Sequence, residues 1–109
     1  MLIAIDYDET YTADPFFWDS VLIGAGLHSH KVVCISARCN TPENMKEIRT
    51  ALVDWPGVPV YLCHDTPKRQ YAEEHGLSVD VWIDDTPEGI GGGDALDRRK
   101  EQVGWTGYK

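Results

Sequence analysis

The sequence of 109 residues has no long apolar run and no excess of basic residues. No segment approaches the ~20 consecutive apolar residues of a membrane-spanning helix, and the first residues do not join a basic stretch to an apolar one. Ten Lys and Arg residues against 18 Asp and Glu residues give a net charge of −8, which disfavours non-specific nucleic-acid binding. We therefore expect a cytoplasmic protein without membrane contact. Nucleic acid stays open as a partner, because acids gathered around one cation would not repel it.

Cysteine is also scarce, with only Cys34, Cys39 and Cys63. Three residues cannot all pair within one chain, and two of them lie in apolar runs, so buried free thiols are favoured over a disulfide framework. His64 follows Cys63, but no second Cys/His group stands at the spacing of a zinc site. The sequence therefore disfavours structural zinc.

Alternating apolar runs and helix-start signals organise the chain. Aspartate or threonine followed by proline, as at Asp14-Pro15 and Thr41-Pro42, is typical of a capped helix start. We predict buried strands at Leu2 to Ile5, Val32 to Ile35, Val58 to Cys63 and Val79 to Ile83, and helices from Pro15 to Leu27, from Pro42 to about Val53 and from Lys68 to His75. Asp65 is expected to cap the third helix, and Thr86-Pro87 repeats the signal.

This alternation predicts an α/β fold, a single three-layer Rossmann-like domain with a mainly parallel sheet. The length suits one core, so residues 1–109 are read as one domain with 86–109 as a peripheral or flexible C-terminal segment. In the first helix we expect Phe17, Val21 and residues 24–27 on the inner side. The glycine run that follows Gly89 lacks the spacing of a phosphate-binding loop and indicates a linkage to a terminal element.

Charged and hydroxyl side chains follow the predicted strands. Asp6 and Asp8 come directly after the first strand, two residues apart, so an extended chain places both carboxylates on one side. Because parallel strands share a carboxyl edge, the aspartates should meet there. They are followed along the chain by Ser36, Arg38, Lys68, Asp84 and Asp85.

Several carboxylates at one edge repel one another. A pair 4 Å apart costs ~4 kcal/mol at an effective dielectric constant of 20, so either protonation or a divalent cation must relieve the site. Oxygen ligands favour a hard ion, Mg²⁺ first. Carboxylates, a hydroxyl, an ammonium group and Mg²⁺ together are suited to phosphoryl transfer through an acyl phosphate.

In these features the chain resembles the haloacid dehalogenase (HAD) superfamily of phosphatases. The resemblance spans residues 2–85 and consists of four motifs in the family's order. They are DxDx(T/V) at Asp6-Tyr7-Asp8-Glu9-Thr10, an apolar strand ending in Ser36, a lysine at a helix start at Lys68, and an apolar strand ending in Asp84-Asp85. Many members have glycine where Glu9 stands, and this departure does not identify a branch.

The resemblance implies a role for each matching residue. Asp6 would be the nucleophile, Asp8 the general acid and base, and Lys68 a catalytic cation that binds the phosphoryl group. The Mg²⁺ ligands would be Asp6, Asp84 and the backbone carbonyl of Asp8, with Asp85 as direct or water-mediated support. Substrate contacts are assigned to Thr10, Ser36 and Arg38.

The intervals between the motifs leave no room for the cap domain that most members insert. Capless members act on large substrates or use a partner subunit as a lid, so the expected partners are a phosphorylated small molecule or macromolecule and a second subunit over the open site. Tyr11, Phe16, Phe17 and Trp18 would form a lid or subunit contact, or else pack the first helix on the sheet.

Other functions remain open at this stage. A regulatory domain would keep the fold and metal without turnover, and a phosphatase acting on nucleic-acid ends would share the whole site. A phospho-acceptor receiver domain fits less well, because its acidic pair follows the first strand and leaves Asp84-Asp85 unexplained.

Overall fold

The computed structural model describes residues 1–91. The strands are β1 (Leu2–Ile5), β2 (Lys31–Ser36), β3 (Val60–Leu62) and β4 (Val81–Ile83), and the helices are α1 (Pro15–Leu27), α2 (Pro42–Ala51) and α3 (Lys68–Glu74). Short 3-10 turns occupy Tyr11–Ala13 and Pro87–Gly89. The predicted linkage and terminal element after Gly91 lie outside the described residues.

The four strands form one parallel sheet in the order β3-β2-β1-β4. The two longest strands, β1 and β2, are central, and Ala4 pairs with Val33 on one side and Trp82 on the other. This arrangement confirms the predicted α/β Rossmann-like fold in a small domain.

The core has one layer on each face of the sheet. On one face, Leu22 of α1 and Ile48 and Leu52 of the α2 region pack against Ile5 and Leu62. On the other face, Ala72 of α3 packs with residues of the alternate strand register, namely Ala4, Val33, Ile35 and Cys63. Alternation along the strands therefore supplies both layers, as expected when helices cover both faces of a parallel sheet.

Two of the three predicted helix caps are confirmed. The Asp14 carboxylate accepts a hydrogen bond from the Phe17 amide (3.2 Å), and the Thr41 hydroxyl accepts one from the Asn44 amide (3.1 Å). The predicted Asp65 cap is wrong: α3 begins after Pro67 with no capping side chain, and the Asp65 carboxylate lies 3.2 Å from His64 Nε2 instead. At Thr86 the repeated signal gives only a 3-10 turn, Pro87–Gly89, without a side-chain cap.

The predicted inner side of α1 is partly wrong. Leu22 and Ala25 are buried and Trp18 packs against the same core, whereas Phe17 and Leu27 are exposed. The spacing of four and three residues from Trp18 to Ala25 forms the inward stripe, and Phe17 is rotated away from it. Almost every α1 residue is apolar, so hydrophobicity alone did not reveal which side faces the sheet.

The three cysteines are free thiols, and Cys34 and Cys63 are buried as predicted while Cys39 is exposed. Among residues 1–91, no helix has both the length and the apolar character needed to cross a membrane.

Candidate functional site

Adjacent strand ends bring the first and last acidic pairs together. Asp6 directly follows β1 and Asp84 directly follows β4, and these strands are hydrogen-bonded neighbours. The Asp6 amide donates to the Ile83 carbonyl at 2.9 Å, which extends the pairing to the site itself. An open pocket of about 390 Å³ lies at this edge, and its lining includes Asp6, Asp8, Glu9, Arg38, Lys68, Asp84, Asp85 and Thr86.

Lys68 joins the two acidic pairs. Its Nζ donates to Asp6 Oδ1 at 2.8 Å and to Asp84 Oδ2 at 2.5 Å, and the side chain is only 4% exposed. It enters from the first turn of α3, on the face of the sheet opposite α1 and α2. Burial lowers the pKa of Lys68, but the attraction of Asp84 and the hydrogen bond to Asp6 outweigh burial and raise it. Lys68 is therefore a permanent cation at the centre of the site.

Asp6 is a buried carboxylate with a raised pKa. Burial raises the pKa from the usual 3.8 to about 6, against the opposing effect of the Lys68 ammonium group. Its ionised form is therefore retained at neutral pH at a cost to folding, which a cation at the site would reduce.

Thr10 lies beneath the pocket and connects Asp6 to Asp85. Its buried hydroxyl lies 3.4 Å from Asp6 Oδ2 and 3.2 Å from Asp85 Oδ1, and it accepts the Asp85 amide at 3.1 Å. Glu9, the residue before it, has φ of 63°, in the left-handed region that favours glycine. Glu9 therefore occupies a strained backbone position. Thr10 contacts carboxylates of the site and does not line the open pocket.

The Asp8 side chain is bound by Arg38. Two guanidinium nitrogens of Arg38 donate to the two Asp8 oxygens, each at 2.8 Å, and a third contact reaches Glu47 at 2.9 Å. The hydrogen bonds that Arg38 donates to Asp8 and Glu47 raise the pKa of Arg38, and Arg38 in turn lowers the pKa of Glu47. Arg38 also lies 5.3 Å from the centre of the Tyr7 ring.

Three carboxylates are grouped closely enough to hold a metal ion. One oxygen from each of Asp6, Asp84 and Asp85 lies within 4.8 Å of the others. An all-oxygen donor set beside a buried ammonium fits a hard divalent cation such as Mg²⁺. The Asp8 side chain is outside this group, so the only metal-binding role left for Asp8 is the one predicted for its backbone carbonyl.

Ser36 occupies a different place from Arg38 although both were assigned to substrate binding. Ser36 is only 1% exposed and its hydroxyl accepts the Arg38 amide at 3.2 Å. Ala37 and Arg38 line the pocket above it. Ser36 therefore positions the loop in this structure, and Arg38 presents the charge.

Two side-chain partnerships were missed by sequence reasoning. Glu47 lies in the middle of α2, and no motif indicated that it would reach Arg38. Cys39 Sγ lies 3.2 Å from His64 Nδ1, which joins the ends of two neighbouring strands rather than the sequence neighbours Cys63 and His64. The adjacency of β2 and β3 was the missing information in the second case.

No protein-family model matches the chain, and comparisons with curated proteins and with solved structures found no match either. The residues of the site and their geometry are therefore what indicates a function for this protein.

Proposed function

We propose that this protein is a Mg²⁺-dependent phosphatase that hydrolyses a phosphate monoester through an aspartyl phosphate on Asp6. The observation that carries the proposal is the Asp6–Lys68–Asp84 arrangement: two carboxylates from neighbouring strands share one buried ammonium at the edge of an open pocket. A site of this kind combines a nucleophile with positive charge for a transferring phosphoryl group.

The proposed reaction has two steps. An Asp6 oxygen bonds to phosphorus while the ester oxygen leaves with a proton from Asp8. Water then attacks phosphorus and gives a proton to Asp8, which releases phosphate and regenerates the Asp6 carboxylate. Lys68, already within 2.8 Å of Asp6, balances charge in both steps.

Asp6, Asp84, Asp85 and the backbone carbonyl of Asp8 would hold Mg²⁺. When bound, the ion supplies charge neutralisation for the carboxylates and the phosphoryl group. The chain's own contribution is the fixed spacing of the carboxylates, which β1–β4 pairing and the Thr10 hydroxyl maintain.

The contact between Arg38 and Asp8 affects both proposed roles, substrate binding by Arg38 and proton transfer by Asp8. Both Asp8 oxygens are occupied by hydrogen bonds that Arg38 donates. To deliver a proton, Asp8 must leave Arg38, which then presents two donors to an anionic group of the substrate. Because the pocket is open, this substrate is a phosphorylated small molecule or an accessible phosphate on a macromolecule. Free buried thiols favour the reducing cytoplasm as its location.

The test is hydrolysis of a generic aryl phosphate by wild type, Asp6→Asn and the control Asp80→Asn, with Mg²⁺ and with excess chelator. Asp80 is an exposed aspartate that directly precedes β4, at the opposite edge of the sheet. Its carboxylate accepts a hydrogen bond from the Leu2 amide at 2.8 Å. We expect metal-dependent turnover in wild type and Asp80→Asn, and none above background in Asp6→Asn. Equal rates in all three proteins, or undiminished turnover in chelator, would contradict the proposal.

A substrate panel separates the remaining alternatives. Nucleotides, sugar phosphates and an oligonucleotide with a 3′-phosphate should be tested together, because the open pocket does not distinguish them. Lack of turnover of every compound by metal-loaded wild type would favour a regulatory domain.

A further inference from the structure

One side of α1 is apolar and exposed among the described residues. Phe16, Ser20, Ile23 and Leu27 follow one another at spacings of four, three and four, so they lie on one side of the helix. We call these four residues the α1 stripe. Phe16 is 86% exposed and Leu27 is 77% exposed. The stripe is opposite the side that packs on the sheet.

The stripe carries no charge, unlike most of this acidic surface. The only ionisable residue of α1 is Asp19, and its carboxylate accepts hydrogen bonds from the Tyr11 hydroxyl (2.7 Å) and Trp55 Nε1 (2.9 Å). With a net charge of −8, two copies of the chain repel each other through most faces. The stripe therefore offers a second copy a surface without carboxylates.

We propose that a second copy of this chain covers the stripe, with the two α1 helices packed antiparallel about a two-fold axis. Antiparallel packing places Phe16 against Leu27 of the second copy and Ser20 against Ile23 of the second copy. The small Ser20 leaves space for the larger Ile23, so the two stripes are complementary in size. This inference does not depend on the proposed phosphatase activity.

The ends of α1 favour the antiparallel direction. Asp14 caps the N-terminal end and His28 follows the C-terminal end, and both side chains are exposed. Antiparallel packing brings Asp14 next to His28 of the second copy and opposes the two helix dipoles, whereas parallel packing places like ends together. The opposed helix dipoles therefore favour the two-fold antiparallel pair.

The available area predicts a weak and reversible dimer. Large apolar side chains each contribute roughly 100–200 Å², so the two stripes and their margins bury on the order of 1,000 Å² in total. This area is at the low end for specific interfaces, and dimers of that size dissociate on dilution. The oligomeric state should therefore depend on concentration.

The first experiment measures the mass of the full chain by sedimentation equilibrium from about 1 to about 200 μM. We expect the mass to rise from the 12.3 kDa of the monomer towards twice that value. Phe16→Glu and Ile23→Glu should each raise the dissociation constant at least about 30-fold, because each places two charges in the interface. Val53→Glu, at another apolar residue that is 69% exposed, is the matched control and should leave dimerisation unchanged.

The outcomes of this experiment are decisive. A wild-type chain that stays monomeric throughout overturns the proposal in favour of another cover for the stripe. Dimerisation that Val53→Glu weakens as much as Ile23→Glu does places the interface elsewhere and also overturns it. Circular dichroism verifies that the variants are folded, and exposed positions on α1 should tolerate the change.

A second experiment tests the direction of packing. In a Cys39→Ser background, Ser20→Cys and Ile23→Cys variants are mixed and oxidised. Antiparallel packing predicts faster disulfide formation between the two different variants than between identical ones. Faster joining of identical positions would show parallel packing and reject the proposed geometry.

Discussion

The two edges of the sheet differ in size and in chemistry. The amino edge has a groove of about 750 Å³ lined largely by apolar groups, including Leu2, Leu22 and Trp55. The carboxyl edge has a pocket of about 390 Å³ lined by Asp6, Lys68 and other charged side chains. In the pocket at the carboxyl edge, charged groups are partly removed from water. The free-energy cost of burying them distinguishes this pocket as the candidate site.

The charged residues of the two edges differ in their exposure to water. Lys31 and Asp80 at the amino edge are exposed, so water solvates them. Lys68 and Asp6 at the carboxyl edge are buried and depend on each other. Matched substitutions at the two edges can therefore distinguish the buried charged residues of the candidate site from exposed charged residues of the surface.

Lys68→Met should have the largest effect. It leaves Asp6 and Asp84 buried without their shared cation, so we expect a loss of about 3–5 kcal/mol in the free energy of unfolding. If the proposed function holds, turnover of the aryl phosphate falls by about 10²–10³-fold. Lys31→Met is the same change at the amino edge and should alter stability by less than about 0.5 kcal/mol. Urea unfolding measures both, and equal losses would remove the contrast between the edges.

Asp6→Asn should change how stability depends on pH in metal-free protein. The folded pKa of about 6 is above the usual 3.8, so the unfolded chain releases this proton first and wild type loses stability as pH rises between these values. The variant lacks this loss, and its stability relative to wild type should increase by roughly 2–3 kcal/mol from about pH 4 to about pH 7. Thermal unfolding in chelator measures the difference. The control Asp80→Asn should follow wild type, and a parallel shift in both variants would refute the assignment to Asp6.

Trp55→Phe should have the smallest effect and should leave turnover unchanged. It removes the hydrogen bond from Nε1 to Asp19 (2.9 Å) at the amino edge and should cost about 1–2 kcal/mol. Trp82→Phe is the matched control, because the buried Trp82 Nε1 has no hydrogen-bond partner among residues 1–91 and its removal loses none. Chemical denaturation ranks the two variants, and a costlier Trp82→Phe would contradict this account.

Local signals predicted most of the elements. The apolar run of β1 has its predicted bounds, Leu2–Ile5, and α1 and α2 begin at the prolines that follow Asp14 and Thr41. These features depend on neighbouring residues alone, namely a cap, a proline and a short apolar run. The parallel direction of the strands followed from the helices between them.

Contacts between side chains of different elements were only partly predictable from the sequence. The strand order β3-β2-β1-β4 depends on which crossovers pack, and it brings Cys39 to His64 and Asp6 to Asp84. The Asp6–Asp84 meeting was predicted because all parallel strands share an edge. The Arg38–Glu47 contact depends on the length and rotation of a long side chain, which strand and helix periodicity do not determine.

The pairing of β1 with β4 has a consequence for how the protein forms. Asp6 directly follows β1 and Asp84 directly follows β4, which is the last of the four described strands in the sequence, and the Asp6 amide donates to the Ile83 carbonyl. During synthesis, Asp84 is added 78 residues after Asp6. The close approach of the Asp6 and Asp84 carboxylates, and any activity that depends on it, therefore arises only when β4 docks beside β1.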